Sequence, residues 1–208
     1  MKTSKLNRSF YKRPTLEAAV NLLGKILIYN INGEQLGGRL VELEAYIGED
    51  DPACHACRGM TPRNEIMYGN AGYLYVYFTY GNHYMLNIVT ERKGFPAAVL
   101  IRGLEPLYGI EAMKRNRGVK KLSDVSSGPG KLAKALNITT AQKGLDVAGN
   151  TIYVLDDKKH IDNIWHSTRI GIGDNGADKK WRFYINGNPH VSKMARYVKE
   201  TAKPYADC

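Results

Sequence analysis

The dipeptide Asn32-Gly33 constrains the fold of this chain more than any other pair of residues. It stands between Lys25 to Ile31 and Leu36 to Ile47, two runs rich in β-branched and large apolar residues. The type I′ two-residue hairpin turn needs positive φ at both central positions, which Asn and Gly adopt at little cost. The spacing therefore predicts two strands joined by a tight turn. Tyr73 to Thr79 and His83 to Thr90 flank Tyr80-Gly81-Asn82 and predict a second hairpin. Ala97 to Leu104, Ile152 to Leu155, Thr168 to Ile172 and Trp181 to Ile185 read as further strands. Pro14 opens a helical pattern, with Leu16, Ala19, Val20 and Leu23 on one face and Gly24 as its stop. Residues 108–117 and 129–137 read as two more helices. Strands in runs with helices between them predict an α+β chain: one compact domain with a largely antiparallel, curved sheet and flanking helices. The domain is expected to span residues 1–208, with a basic segment 1–13 and a basic tail 193–208 at its periphery.

The second predicted strand carries Glu42, Glu44 and Tyr46 at alternate positions, so all three share one face while Val41, Leu43 and Ala45 share the other. Two carboxylates and a phenol on one face can line a site, and a carboxylate in a partly desolvated pocket can act as a general base on water. The same pattern also suits a solvent-facing strand, and spacing alone does not separate Glu42 from Glu44. Residues 48–71 are rich in Gly, Pro, Asp and Asn and read as an unusually long loop, a length more common in functional segments. The second hairpin concentrates five of the 14 tyrosines between Tyr73 and Tyr84. Leu74, Val76 and Phe78 are expected to fill the core, and Tyr75 and Tyr77 to face a site. Tyr80, at the turn, is the ring least suited to core packing and the best placed to stack on or wedge between bases.

Charge narrows the partner. The net charge is +10, and five of the 20 acidic residues fall between Glu42 and Asp51, which leaves the rest more basic still. Lys114, Arg115, Arg117, Lys120 and Lys121 form one basic cluster, and Lys193, Arg196, Lys199 and Lys203 another. Such a balance favours a polyanion. No apolar run approaches the roughly 20 residues that span a bilayer, and Met1 to Arg13 lacks the apolar stretch of a signal peptide. The expectation is a cytoplasmic protein, nucleoid-associated in a bacterium, with no membrane partner. Three cysteines, Cys54, Cys57 and Cys208, are an odd number and argue against a disulfide framework. Cys54-His55-Ala56-Cys57 has the spacing of a redox or zinc motif, but no second such pair exists, and the His-x-Glu box of a zinc deaminase is missing. Ser126 to Lys131 resembles a phosphate loop but fails its pattern at Val125 and Leu132. It remains a helix start with a lysine, suited to one backbone phosphate or to simple capping.

Taken together, the motifs LLGKIL, GRLVELEAYIGEDDPACH, TPRNEIMYGNAGYLYVYFTYGNHYMLNIV, VLIRGLEPL, SSGPGKLAKAL, RIGIG and WRFYINGNPHVS closely resemble the alkyladenine (3-methyladenine, or methylpurine) DNA glycosylase family from about Leu22 to Ser192. The resemblance implies a mixed α/β fold with a hairpin that intercalates in the DNA minor groove. It implies a base-excision-repair enzyme that acts as a monomer on double-stranded DNA containing damaged purines. It flips out an alkylated or deaminated purine such as 3-methyladenine, 1,N6-ethenoadenine or hypoxanthine and hydrolyses the N-glycosidic bond, leaving an abasic site. No metal or organic cofactor is implied.

The resemblance assigns Glu44 as the residue that deprotonates the water, Arg102 as a residue that holds that water, and Ile170 as a second holder through its main-chain carbonyl. Tyr46, His55 and Tyr77 are the rings around the flipped base, Asn87 the gate against guanine, and Tyr80 the residue that fills the gap in the duplex. Arg63 and Lys131 lie in motifs that meet DNA. The cysteines beside His55 and the Asn82-His83 pair depart from the family's pattern. Two other classes compete with this reading: a non-catalytic damaged-DNA-binding protein of the same fold, and a zinc or redox protein built on Cys54, His55 and Cys57.

Overall fold

The computed structural model describes residues 3–206. Cys208 and the outermost residues of both basic ends lie outside them. One antiparallel sheet organises the chain. Its strands are β1 (Ser4–Lys5), β2 (Ile26–Ile31), β3 (Glu34–Ile47), β4 (Leu74–Thr79), β5 (His83–Val89), β6 (Ala97–Tyr108), β7 (Ile152–Asp156), β8 (Ile164–Ser167), β9 (Arg182–Ile185) and β10 (Lys203–Pro204). The helices are α1 (Arg8–Tyr11), α2 (Thr15–Leu22), α3 (Ile110–Arg117), α4 (Pro129–Ala135) and α5 (Arg196–Thr201). The main path runs β1-β7-β2-β3-β6-β5-β4, with β9 joining β3 to β8 and β10 closing on β8. The α+β architecture expected from the strand and helix pattern is the one observed.

Asn32 and Gly33 take φ of 50° and 80° and join β2 to β3 in the expected tight turn, with Ile31 facing Glu34. The long strand β3 is the hub of the sheet. Its first half pairs with β2, its second half pairs with β9, and β6 runs along its other edge. The β3–β6 register breaks around Glu42: Leu40 faces Leu104, Glu42 faces Gly103, and Leu43 faces Ile101. Val41 is thus an extra residue on one strand and Arg102 on the other. Paired bulges of this kind re-aim side chains locally, and here Arg102 points at the carboxylates of β3. Leu40, Val41, Leu43 and Ala45 are fully buried, with Leu40, Leu43 and Ala45 part of the main core built from Leu27, Leu74, Leu86, Ile101, Leu104 and Leu132.

Four sequence expectations are corrected. Thr168 to Ile172 is not a strand: the strand is β8, ending at Ser167. The next residues leave the ladder because the Arg169 guanidinium turns inward to Asp51 and the Ala45 carbonyl, and Gly171 takes φ 82°. Phe78 does not fill the core; it lies at the outer end of β4, 45% exposed, packed against Tyr84. The basic N-terminal segment is not merely peripheral, since Leu6, Phe10 and Tyr11 are buried in the main core. The basic tail likewise contributes Val198 to the interior and a hydroxyl, on Thr201, that accepts from the Thr168 N–H at 3.1 Å.

The long loop 48–71 is ordered by its own small apolar cluster, in which Cys54, Ala56 and Met67 pack on Tyr75, Val89 and Ala98. Asn64 pins it further by donating to the carbonyls of His55 and Gly59 at 2.7 and 3.0 Å. The loop therefore presents His55 from a fixed seat.

Candidate active site

Glu42, Glu44 and Tyr46 share a face of β3, as the alternation predicts, but that face is not solvent-exposed. Both carboxylates are fully buried. Burying an ionised carboxylate is costly unless cations and hydrogen bonds replace its water, and the two residues meet that demand differently.

Glu42 is saturated. Its Oε1 accepts from Arg102 Nε at 3.0 Å, Arg182 Nε at 2.7 Å and the Ser192 hydroxyl at 2.7 Å, and its Oε2 accepts from the Ser192 N–H at 2.6 Å. Burial raises its pKa, but Arg102, Arg182 and Ser192 outweigh burial and bring it down to about 2.

Glu44 is held by three donors. Oε2 accepts from the Tyr46 hydroxyl at 2.8 Å and Arg102 Nη1 at 3.2 Å, and Oε1 accepts from the Ile170 N–H at 2.7 Å. Each carboxylate oxygen offers about two lone-pair sites, so Oε1 keeps one uncommitted. Arg102 bridges the two glutamates, and its guanidinium is held firmly protonated by them despite burial. Burial and the nearby Glu44 raise the Tyr46 hydroxyl well above its usual pKa, so it remains a donor to Glu44.

Tyr46, Arg102 and Ile170 open onto a cleft of about 680 Å³, which is also lined by His55, Arg63, Tyr77, Tyr80 and Pro129. A narrower recess continues from it past Tyr46, His55 and Tyr77 to Asn87 and Ala98. The structure thus brings Arg102, Ile170, Tyr46, His55, Tyr77, Tyr80 and Arg63 to one cleft, with Glu44 bonded to three of its lining residues and Asn87 at its deep end. The His55 and Tyr77 rings touch edge-on, with centroids 4.5 Å apart, so they form one wall and leave Tyr46 to supply another. Asn87 Nδ2 donates to the Tyr75 carbonyl at 3.0 Å, which ties its amide to β4. Tyr80 stands at the tip of the second hairpin with φ 53° and 76% exposure, the most exposed large apolar side chain among the described residues.

Lys131 does not line the cleft. It lies in the first turn of α4, with Nζ 3.5 Å from the Ser127 hydroxyl, next to the cleft residue Pro129. Neither basic cluster lines the cleft; its cations are Arg58, Arg63 and Arg102. Arg63 covers the Tyr77 ring at 5.1 Å.

Sequence reasoning missed four supports of the site. Tyr75, expected only to face a site, bonds to His55 Nδ1 through its hydroxyl at 2.7 Å. Arg182 and Ser192 hold Glu42, and Arg169 pairs with Asp51. The only signal for the two arginines was that acidic residues cluster between Glu42 and Asp51 and need buried cations once that strand is internal; nothing in the sequence pointed to Ser192. The zinc or redox reading finds no support in the donor set. His55 Nδ1 is engaged by Tyr75, burial pushes the Cys54 thiol up to about 11, and Cys57 is exposed. Among the described residues no three His, Cys, Asp or Glu side chains are grouped closely enough to share a metal ion. No helix among them is long and apolar enough to cross a membrane.

The sequence matches the family model described as methylpurine-DNA glycosylase (MPG) over residues 9–189. It is 47% identical over 193 residues to a protein of Methanocella arvoryzae named "Putative 3-methyladenine DNA glycosylase", covering 91% of this chain and 96% of that one. Proteins of the same name from Chlorobium phaeobacteroides strain BS1 and Alkaliphilus oremlandii are 47% and 44% identical, each over at least 90% of both chains. An aromatic cleft backed by a three-donor glutamate, carried on a sequence matched over nearly its whole length, places this chain in the methylpurine-DNA glycosylase family.

Proposed function

We propose that this protein is a DNA glycosylase that flips an alkylated or deaminated purine out of duplex DNA and hydrolyses its N-glycosidic bond with a water activated by Glu44. The observation that carries the reading is Glu44 itself: a fully buried carboxylate with one free lone-pair site on Oε1, bonded to three residues of an aromatic, cation-rimmed cleft. Three donors fix its orientation, and the free site accepts the proton of the attacking water. Arg102, fixed by two carboxylates, retains N–H groups for the water oxygen, and the Ile170 carbonyl is the second holder. As the bond to the base lengthens, the sugar gains oxocarbenium character, which a carboxylate stabilises electrostatically.

The flipped base enters between Tyr46 and the wall made by His55 and Tyr77, with Asn87 at the deep end excluding the amino group of guanine. A cationic purine such as 3-methyladenine suits rings whose faces attract positive charge, and a damaged, weakly paired base costs least to unstack. Tyr80 fills the vacated position in the stack, while Arg63 and Lys131 contact the backbone. Ethenoadenine and hypoxanthine fit the same pocket by stacking. No lysine lines the cleft among the described residues, so the reaction is simple hydrolysis that leaves an abasic site. The non-catalytic alternative leaves the Glu44–Arg102 arrangement without a role.

Single-turnover excision from duplexes carrying 3-methyladenine, ethenoadenine or hypoxanthine tests the reading. Glu44→Gln is expected to lose excision by about 10²–10⁴-fold, the range of a general base, while still binding the lesion duplex. Near-normal turnover by that variant would sink the assignment. Tyr80→Ser is expected to reduce flipping, followed by ethenoadenine fluorescence, more than it reduces binding to undamaged duplex. Equal loss of both would remove the wedge role.

A further inference from the structure

Asp51 and Arg169 form a bidentate pair, with Nη1 to Oδ2 at 2.6 Å and Nη2 to Oδ1 at 2.7 Å, and both side chains are fully buried. Neither lines the cleft, and the chemistry above uses neither. Yet the pair's further contacts converge on one side of that cleft: two reach the lining residues Tyr46 and Ala53 directly, and two more hold the backbone on either side of Tyr46. Arg169 Nη1 also donates to the carbonyl of Ala45, the residue before Tyr46, at 3.0 Å. The guanidinium lies over the Tyr46 ring at 4.7 Å from its centroid and over Trp181 at 5.2 Å. Asp51 accepts from the N–H of Ile47, the residue after Tyr46, at 3.2 Å, and from that of Ala53 at 3.3 Å, which fixes the turn leading into His55. Ile170, joined to Arg169 by a peptide bond, gives its N–H to Glu44. The backbone of Gly176 closes over the pair: at φ 64°, a Cβ there would stand 2.9 Å from Arg169 Nη2 and 3.4 Å from Asp51 Oδ1.

We propose that the Asp51–Arg169 pair is the positioning element of the base pocket, fixing the plane of Tyr46, the seat of His55 and the N–H of Ile170 as one unit and so setting the width that admits a flipped purine. This rests on the glycosylase reading. The physical argument is geometric. A buried ion pair adds little net stability relative to an apolar pair of the same volume. A planar fork, however, specifies the orientation of every group it bonds. Arg169 touches a ring on its face, a carbonyl at its edge and a carboxylate at its end, so a displacement of one is passed to the others. A lysine would keep the charge and lose both the fork and the plane.

The experiment compares wild type, Arg169→Lys and Asp51→Asn as full-length proteins on an ethenoadenine duplex and on the undamaged duplex. Ethenoadenine fluorescence reports flipping and stacking, single-turnover excision reports kcat separately from lesion affinity, and circular dichroism reports folding. Both variants are expected to fold and to bind undamaged duplex as wild type does. Their lesion-over-undamaged preference is expected to fall about tenfold or more, within the roughly 10²-fold that an ångström of misplacement can cost. The stacking signal should fall with it, and the ratio of ethenoadenine to hypoxanthine excision should shift. A folded Arg169→Lys protein with wild-type preference, stacking signal and lesion ratio overturns the proposal. If that variant does not fold, Gly176→Ala, which keeps both charges while pressing a Cβ against Arg169, is read in the same way. Wild-type protein that excises no lesion would instead overturn the functional reading, because the stacking signal does not depend on cleavage.

Discussion

Glu42 and Glu44 lie two residues apart on one strand, both fully buried and both bonded to Arg102, yet their remaining partners differ. Glu42 is enclosed by two arginines and both donors of Ser192, and of these only Arg102 lines the cleft. All three partners of Glu44, by contrast, line that cleft. On the proposed reading, a carboxylate held by two arginines and a serine serves as a structural anchor, and one held by three cleft residues is placed to take a proton from a water in the cleft. Sequence spacing presents the two as equivalent, and only the surrounding donors distinguish them.

Substitution at the two positions should separate these roles. Beside the loss of catalysis expected for Glu44→Gln, Glu42→Gln should act first on stability. It leaves Arg102 and Arg182 facing a neutral amide, and breaking a buried pair costs about 3–5 kcal/mol. Chemical denaturation would measure this, and a loss below about 1 kcal/mol would deny the anchor role. Excision per folded molecule should fall less than in Glu44→Gln, because Arg102 keeps its bond to Glu44.

Acid sharpens the contrast. The folded pKa of Glu42 is about 2, below the ordinary 4.5, so its contribution to stability is present above pH 4.5 and is lost as pH falls toward 2. Melting temperature should drop through that window in wild type and less steeply in Glu42→Gln; parallel curves would count against the linkage. The smallest expected effect concerns His55, whose pKa is lowered to about 4 by burial and by Arg63. The ring is neutral at neutral pH, so the excision profile should show no inflection near pH 6.5 that His55→Gln removes.

How far the sequence could be read depended on how local each cause was. The Asn32-Gly33 turn and the Tyr80-Gly81-Asn82 turn are local decisions of a few residues, and both hairpins were legible. The β3 alternation was legible too, and it placed Glu42, Glu44 and Tyr46 on one face. Burial of that face was not, because its cations come from Arg102, Arg169 and Arg182, and Asp51 lies 118 residues from Arg169 while Glu42 lies 140 from Arg182. The false strand at Thr168 to Ile172 has the same origin: its β-branched residues suit a sheet, but the Asp51 carboxylate draws Arg169 inward. Phe78 was misplaced because alternation fixes a side, and not how far along β4 the core extends. Motif order supplied the names of the cleft residues, while the distinction between one ring wall and two came from the contact of His55 with Tyr77.

The hub position of β3 bears on the order in which the protein can be assembled. The strand leaves the ribosome early with Glu42, Glu44 and, just beyond, Asp51, but their counter-charges at Arg169 and Arg182 and the Ser192 donors follow more than a hundred residues later. Until those residues are synthesised, three carboxylates destined for the interior lack most of their counter-charges and must stay hydrated. The nascent chain can form its first hairpin from local sequence, but the Arg169, Arg182 and Ser192 donors that compensate these carboxylates arrive only with the last fifth of the chain.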